Sequence, residues 1–228
     1  MMRITKDKSL FPWAPRAASG NRMEIMLDLS PTAIRDRRAE HDFEFWQLRT
    51  PLIKYKIDGV FPYGLDNGCF SGDLPSYWWR MLDQAEQARP VFVCLPDVVG
   101  SARRTLDLFS YFESATNGLP RALVLQNGIG DVSIPWDKID AVFIGGTDSF
   151  KAAPEAFAAA RCARMLGKWV HVGRVNTARR VHEWMGIADS IDGSGISRDP
   201  RGEQLAEVVA AIKGSQPTQS ELVLGNAA

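Results

Sequence analysis

The chain is poor in the residues that build metal and disulfide sites: its 228 residues include three cysteines and three histidines. Cys69, Cys94 and Cys162 are odd in number and widely spaced, so they form neither a disulfide framework nor a C-x-x-C zinc pair. Cys94 and Cys162 read as small core residues, whereas Cys69, beside Asp66 in a loop, reads equally as packing or as site lining. With only His41, His171 and His182, a His-rich metal centre is not expected, nor is any cofactor. Net charge is missing too, because 27 Lys and Arg balance 27 Asp and Glu. That balance removes any overall electrostatic case for nucleic acid, although one basic face can be offset by an acidic back. The clusters at Arg35–Arg38, Arg103–Arg104, Arg161 with Arg164, and Arg179–Arg180 read first as solvated helix faces. No apolar run is long enough to span a bilayer, and residues 1–8 lack the apolar core of a signal peptide. A cytoplasmic protein without a membrane partner is the resulting expectation. No G-x-G-x-x-G follows the first strand and there is no P-loop, which argues against dinucleotide and triphosphate folds.

What the chain does have is regular alternation. Apolar runs at 23–29, 60–66, 91–96, 122–126, 141–145, 168–173 and 188–192 read as seven strands, with a possible short one near residues 3–5. Helical stretches are expected from Ser76 as a cap, at 100–115, 152–166 and 177–185, and from about 202 to 213. The polar, Arg-rich stretch up to Arg49, with Phe43, Phe45, Trp46 and Leu48, reads as a short amphipathic element. Strands alternating with helices imply a parallel sheet with right-handed crossovers. Strand number and chain length favour a single α/β domain of the (β/α)8 barrel type over an open sheet. The barrel is expected over residues 1–214, with 215–228 as a loosely attached tail.

The most informative feature is where these runs end. Asp66 ends Tyr63-Gly64-Leu65, Asp97 ends Phe92-Val93-Cys94-Leu95-Pro96, and Asp192 ends Ser190-Ile191. Gln126, Gly145-Gly146 and Gly173-Arg174 end three others. An aspartate at the end of a buried strand adds little stability. In a parallel barrel, however, strand C-termini converge on one mouth, where sites are built. The alternative for each acid is a helix cap or a turn. That alternative suits Asp97 and Asp189 better than Asp66 and Asp192, which precede glycines with no helix expected at once. Gly145-Gly146-Thr147 is a weak signal for a phosphate-binding turn.

Taken in order, these strand ends resemble the tRNA-guanine transglycosylase superfamily of base-exchanging barrels. The family's Asp-Ser-Gly-Gly-Phe-Gln signature is similar to Asp66-Asn67-Gly68-Cys69-Phe70-Ser71, and its middle acidic strand end to Pro96-Asp97-Val98. Its Val-Gln-Gly-Gly motif is similar to Leu125-Gln126-Asn127-Gly128, and the next glycine strand end to Ile144-Gly145-Gly146. Its Gly-Val-Gly-x-Pro stretch resembles Val170-His171-Val172-Gly173-Arg174-Val175-Asn176. Its Phe-Asp-Cys-Val-x-Pro-Thr-Arg motif is similar to Ile191-Asp192-Gly193-Ser194-Gly195-Ile196-Ser197-Arg198. The likeness covers residues 60–200 or so. The chain lacks the family's Cys/His zinc-binding insertion and is much shorter than the tRNA enzymes. The branch it resembles most is the phage and bacterial enzymes that insert 7-deazaguanines into DNA.

The resemblance implies a pentosyl-transferring enzyme that exchanges guanine in a polynucleotide, DNA in preference to tRNA, for a 7-deazaguanine. It implies Asp192 as the nucleophile on the sugar and Asp66 as the carboxylate that moves the base's proton. The small residues Gly193-Ser194-Gly195 would leave room for the sugar. Asp97 would accept from the N1–H and N2 amine edge of the base, and Gln126, Gly145 and Gly146 would bind its O6 side or position-7 substituent. Phe70 or Val172 would stack on the base, with Gly173 in the same substrate-binding set, although both side chains also suit a core. Arg174 and Arg198 would hold phosphates or make surface ion pairs. Trp78, Trp79, Trp136 and Trp184 are candidate wedges for a flipped base, or core. A partner protein could supply DNA binding. Three other readings stay open: a free-nucleoside glycosylase, a non-catalytic base- or nucleic-acid-binding barrel, and a metal-dependent hydrolase built on His171.

Overall fold

In the computed structural model, which describes residues 23–55 and 61–214, eight strands close into a parallel barrel. They are β1 (Glu24–Leu27), β2 (Phe45–Arg49), β3 (Tyr63–Leu65), β4 (Phe92–Cys94), β5 (Arg121–Leu125), β6 (Ala141–Ile144), β7 (Trp169–Val172) and β8 (Ser190–Asp192). Each pairs with its successor and β8 closes on β1, where Asp192 lies opposite Met26. The helices are α1 (Pro31–His41), α2 (Tyr77–Gln87), α3 (Ala102–Phe112), α4 (Asp148–Lys151), α5 (Pro154–Met165), α6 (Ala178–Trp184), α7 (Ser194–Arg198) and α8 (Glu203–Gly214). Among the described residues no helix is long and apolar enough to cross a membrane.

The expected barrel is present, but one of its strands is not where the sequence suggested. The element around Phe45, Trp46 and Leu48 is β2, a full member of the barrel. The possible strand near residues 3–5, the start of the 60–66 run and the 215–228 tail lie outside the described residues. The Arg-rich stretch before β2 contains α1, where Ser30 Oγ accepts from Ala33 N–H at 3.2 Å and Pro31 fills the first turn. Ser76, expected as a cap, makes no capping bond, since its own backbone is already helical; Trp78 N–H donates to the Pro75 carbonyl instead. The helix expected over 152–166 is α5, which Pro154 starts, and the short α4, not expected from the sequence, precedes it.

Two-residue alternation along each strand divides the apolar residues into two cores. Met26, Leu48, Phe92, Cys94, Ala122, Val124 and Ala141 fill the barrel interior, with Trp46, Phe143 and Trp169 against them. Ile25, Leu27, Leu123, Leu125, Ile144, Val170, Val172 and Ile191 face the helices. Two glycines make the interior fit. A Cβ at Gly64 would stand 2.4 Å from the Phe92 ring, and one at Gly173 would stand 2.6 Å from the Phe143 ring. With those side chains absent, Phe92 and Phe143 close on the His171 ring at centroid distances of 5.0 and 4.6 Å. This packing fixes a buried histidine directly beneath the C-terminal mouth.

Candidate active site

Three carboxylates reach the mouth from different strand ends, and each is held differently. Asp97 follows β4. Its Oδ1 accepts from Asn67 Nδ2 at 2.8 Å and its Oδ2 from Gln126 Nε2 at 2.6 Å. Asn67 is itself fixed, donating to the Leu95 carbonyl and accepting from Cys69 N–H, while Gln126 Oε1 accepts from Gly100 N–H. The carboxylate is therefore oriented on both sides, and each oxygen keeps a lone pair for a further donor. Burial pushes its pKa up, and the bonds from Asn67 and Gln126 oppose that shift. Helix capping is not the role of Asp97, because Ser101 caps α3.

Asp66 follows β3. Its side chain is partly open to the mouth but closely surrounded by protein, and burial is the largest cause that raises its pKa to about 7. The negative charges of Asp192 and Asp97 add to the shift, and hydrogen bonds from the Asn67 and Gly68 backbones only partly oppose it. A carboxylic acid that titrates near neutrality can both give and take a proton.

Asp192 ends β8 with its side chain 15% exposed. Its Oδ1 lies 3.0 Å from His171 Nε2, His171 Nδ1 lies 2.8 Å from Ser190 Oγ, and Trp169 Nε1 donates to that same Oγ at 2.8 Å. Tryptophan can only donate, so the Ser190 hydroxyl hydrogen is available to His171 Nδ1, and Nε2–H then points at Asp192. One carboxylate oxygen is thereby anchored, and the other remains for chemistry. A helix does begin soon after Asp192, contrary to the sequence expectation, but α7 starts from Gly193 and Asp192 is not its cap.

Several expected site residues have other duties. Val172 is fully buried and packs toward the helices, on the face of β7 opposite His171, so it cannot stack on a base. Gly145 N–H is committed to the Leu125 carbonyl at 3.0 Å, and a Cβ there would strike Val124 and Gln126. Its place is to seat Gln126, and Gln126 in turn mainly holds Asp97. Gly146 has a left-handed φ of 70° beside Phe150 and Asn127, and the following Thr147 caps α4, so this turn is a helix start. Gly193 and Gly195 make room for Asn176 rather than for a sugar: a Cβ at Gly193 would lie 2.2 Å from Asn176 Oδ1. Arg198 is 62% exposed and pairs with Asp28 at 3.1 Å. Trp78 and Trp184 are fully buried and cannot act as wedges, while Trp79 is exposed on α2. Cys69 is buried with its thiol pushed up to about 11, chiefly by burial, which makes it a packing residue.

Phe70 and Arg174 do reach the mouth. Phe70 is 63% exposed in the 3-10 turn Cys69–Ser71, and the Arg174 guanidinium lies 4.5 Å from its ring centroid. These residues follow β3 and β7, on opposite sides of the barrel, so the contact crosses the opening. Arg174 sits at φ 61°, a conformation rare outside glycine and typical of functional positions. The sequence reading missed two features: the His171–Ser190 support and Lys151. Strand register could have disclosed the first, because His171 lies opposite Ser190. Lys151, on α4, has its pKa lowered to about 8, first by burial and then by Arg174.

No family model and no curated protein matches the chain. Among solved structures, a chain from the tryptophan synthase α2β2 complex of Pyrococcus furiosus is similar, with a TM-score of 0.51 and 12% identity over 86% of this chain and 98% of that one. A mutant tryptophan synthase α-subunit from the same organism gives a TM-score of 0.43 and 15% identity, over 68% of this chain and 67% of that one. A protein from Aquifex aeolicus VF5 gives 0.40 and 16%, over 68% and 62%. At these identities the likeness concerns the fold alone, and the site must be read from its own chemistry.

Proposed function

We propose that this barrel is a base-exchanging transglycosylase that replaces guanine in a polynucleotide, DNA in preference, with a 7-deazaguanine. The observation that carries this reading is the division of labour among three converging carboxylates. Asp97 is preset as an acceptor, Asp66 titrates near neutrality, and Asp192 is anchored through one oxygen. The strand-end resemblance to guanine transglycosylases supplies the substrate class.

In the first half-reaction the open oxygen of Asp192 attacks C1′ and the C1′–N9 bond breaks, its electron pair passing to the purine. Asp66 gives that purine a proton. The oxocarbenium character developing at C1′ is met by a carboxylate, and a sugar ester on Asp192 results. In the second, the incoming deazaguanine loses its N9 proton to Asp66, attacks C1′ and releases Asp192 as a carboxylate. One proton and one base are exchanged in each direction, so no oxidant or triphosphate is required. Asp97 accepts from the N1–H and N2 amine of either base through the lone pairs left by Asn67 and Gln126. Phe70 offers an exposed ring for stacking at the mouth.

The test is incorporation of labelled 7-cyano-7-deazaguanine into duplex DNA, tRNA and free guanosine. Label in DNA supports the proposal as stated, and label in tRNA moves the substrate to RNA. Label in the free nucleoside alone favours the glycosylase alternative. Binding of DNA without incorporation into any of the three favours a non-catalytic barrel.

A further inference from the structure

We infer that Lys151, Arg174 and Arg180 form an anion subsite beside Asp192 that takes a phosphodiester of the nucleotide undergoing exchange. The inference rests on the base-exchange reading and narrows its substrate to a polymer. Lys151 is only 3% exposed, on the four-residue α4. The nearest carboxylate oxygen, Asp148 Oδ1, is 4.0 Å away, beyond hydrogen-bond reach, and among the described residues Nζ makes no hydrogen bond. A largely buried lysine whose ammonium keeps unused donors can offer them to an acceptor that arrives with a ligand.

The neighbours agree with that assignment. Asp148 is 72% exposed and shared, since Arg174 Nη2 lies 3.3 Å from its Oδ1 and Arg180 Nη2 donates to its backbone carbonyl. Arg180 also pairs with Glu183 at 2.8 Å, which holds its guanidinium in place. Lys151 follows β6, Arg174 follows β7 and Asp192 ends β8, so the three occupy adjacent loops of the mouth. The negative charge of Asp192 reaches Lys151. The Arg174 guanidinium lies over the Phe70 ring with Nη2 toward Asp148, and its other N–H groups are donors for an incoming oxyanion. A phosphodiester is separated from C1′ by the sugar ring, and a nucleotide with C1′ at Asp192 would bring its phosphate to this side. A free nucleoside would bring Lys151 no hydrogen-bond acceptor beyond the distant Asp148.

The test uses the full chain in an Asp192→Asn background, so that binding is read without turnover. The probes are a fluorescein-labelled single-stranded oligodeoxynucleotide with one guanine, and the same strand with uncharged methylphosphonate linkages flanking that guanine. The expected result is about tenfold weaker binding of the methylphosphonate strand, a difference that shrinks to nothing with Lys151→Met and narrows with Arg180→Gln. Inorganic phosphate should compete with the intact strand but not with the methylphosphonate strand. Equal binding of both strands, or a difference that survives in both variants, overturns the subsite, as does failure of both strands to bind. Thermal melting accompanies each variant; if Lys151→Met does not fold, the partly exposed Arg180→Gln carries the comparison. Wild-type protein that shows this phosphate dependence but exchanges no base would refute the exchange reading and leave the subsite standing.

Discussion

At the scale of single residues, Asp192 and Asp66 differ in what touches them. Asp192 has an imidazole N–H on one oxygen, while Asp66 has two other carboxylates nearby and is closely surrounded by protein. Asp192→Ala should abolish exchange and leave the thermal unfolding temperature within a few degrees of wild type, as checked by label incorporation and circular dichroism. Asp66 also makes a prediction about stability. Its pKa is raised from 3.8 to about 7, so its favourable contribution is complete at low pH and is lost as pH rises through 7. Asp66→Asn should therefore lose less stability than wild type between pH 4 and pH 8, by on the order of 2–4 kcal/mol in denaturant titrations at the two pH values. Lys151 has the opposite sign. Its pKa is lowered from 10.5 to about 8, so stability is lost as pH falls through 8. Lys151→Met should raise stability at pH 7 by on the order of 2–3 kcal/mol while weakening polynucleotide binding. The aspartates were legible in the sequence, because an acid that ends an apolar run is conspicuous. Lys151 was not: a lysine in a short polar turn reads as solvated, and only the tight course from Thr147 to Pro154 buries it.

At the scale of elements, the barrel depends on what its glycines leave out. Gly64 and Gly173 vacate the interior for Phe92 and Phe143, and Gly145 vacates the mouth for Gln126. Gly145→Ala places a methyl 2.7 Å from Val124 Cγ1 and 2.9 Å from Gln126 Nε2. The variant should fold with a loss of roughly 1–3 kcal/mol, and because Asp97 loses its orientation, KM for the incoming base should rise more than kcat falls. Steady-state kinetics with a labelled base separate the two effects. The order of strands, from the run 23–29 that became β1, was legible except for β2, which was hidden. Its sequence Phe45-Trp46-Gln47-Leu48-Arg49 interrupts the apolar pattern with Gln47 and Arg49, both buried. Their hydrogen-bond partners come from other segments: Gln47 Nε2 donates to the Leu29 carbonyl and Arg49 Nη2 to the Tyr55 carbonyl and Gln84, while Arg49 Nε and Nη1 make no hydrogen bond among the described residues. Such partners exist only after folding. For the same reason the small residues after Asp192 looked like space for a sugar, when Asn176 occupies that space.

At the scale of the whole molecule, the mouth has two unlike sides. Leu52, Phe70 and Val99, in the loops after β2, β3 and β4, are exposed and apolar, whereas Lys151, Arg174 and Arg180 lie around the ends of β6 and β7. This polarity suits a nucleotide, with the base toward the aromatic side and phosphate toward the cations, despite the zero net charge of the chain. The Phe70–Arg174 contact crosses the opening between them, so a base entering the barrel has to part or join that pair. The most direct measurement is denaturing electrophoresis and intact-mass analysis of the full chain mixed with a guanine-containing oligodeoxynucleotide, with and without an incoming deazaguanine. A protein–oligonucleotide adduct lacking one guanine, mapped to the peptide containing Asp192, absent from Asp192→Ala and released by the incoming base, is the expected result. Exchange without any such adduct, or an adduct that persists in Asp192→Ala, would contradict a covalent Asp192–sugar intermediate.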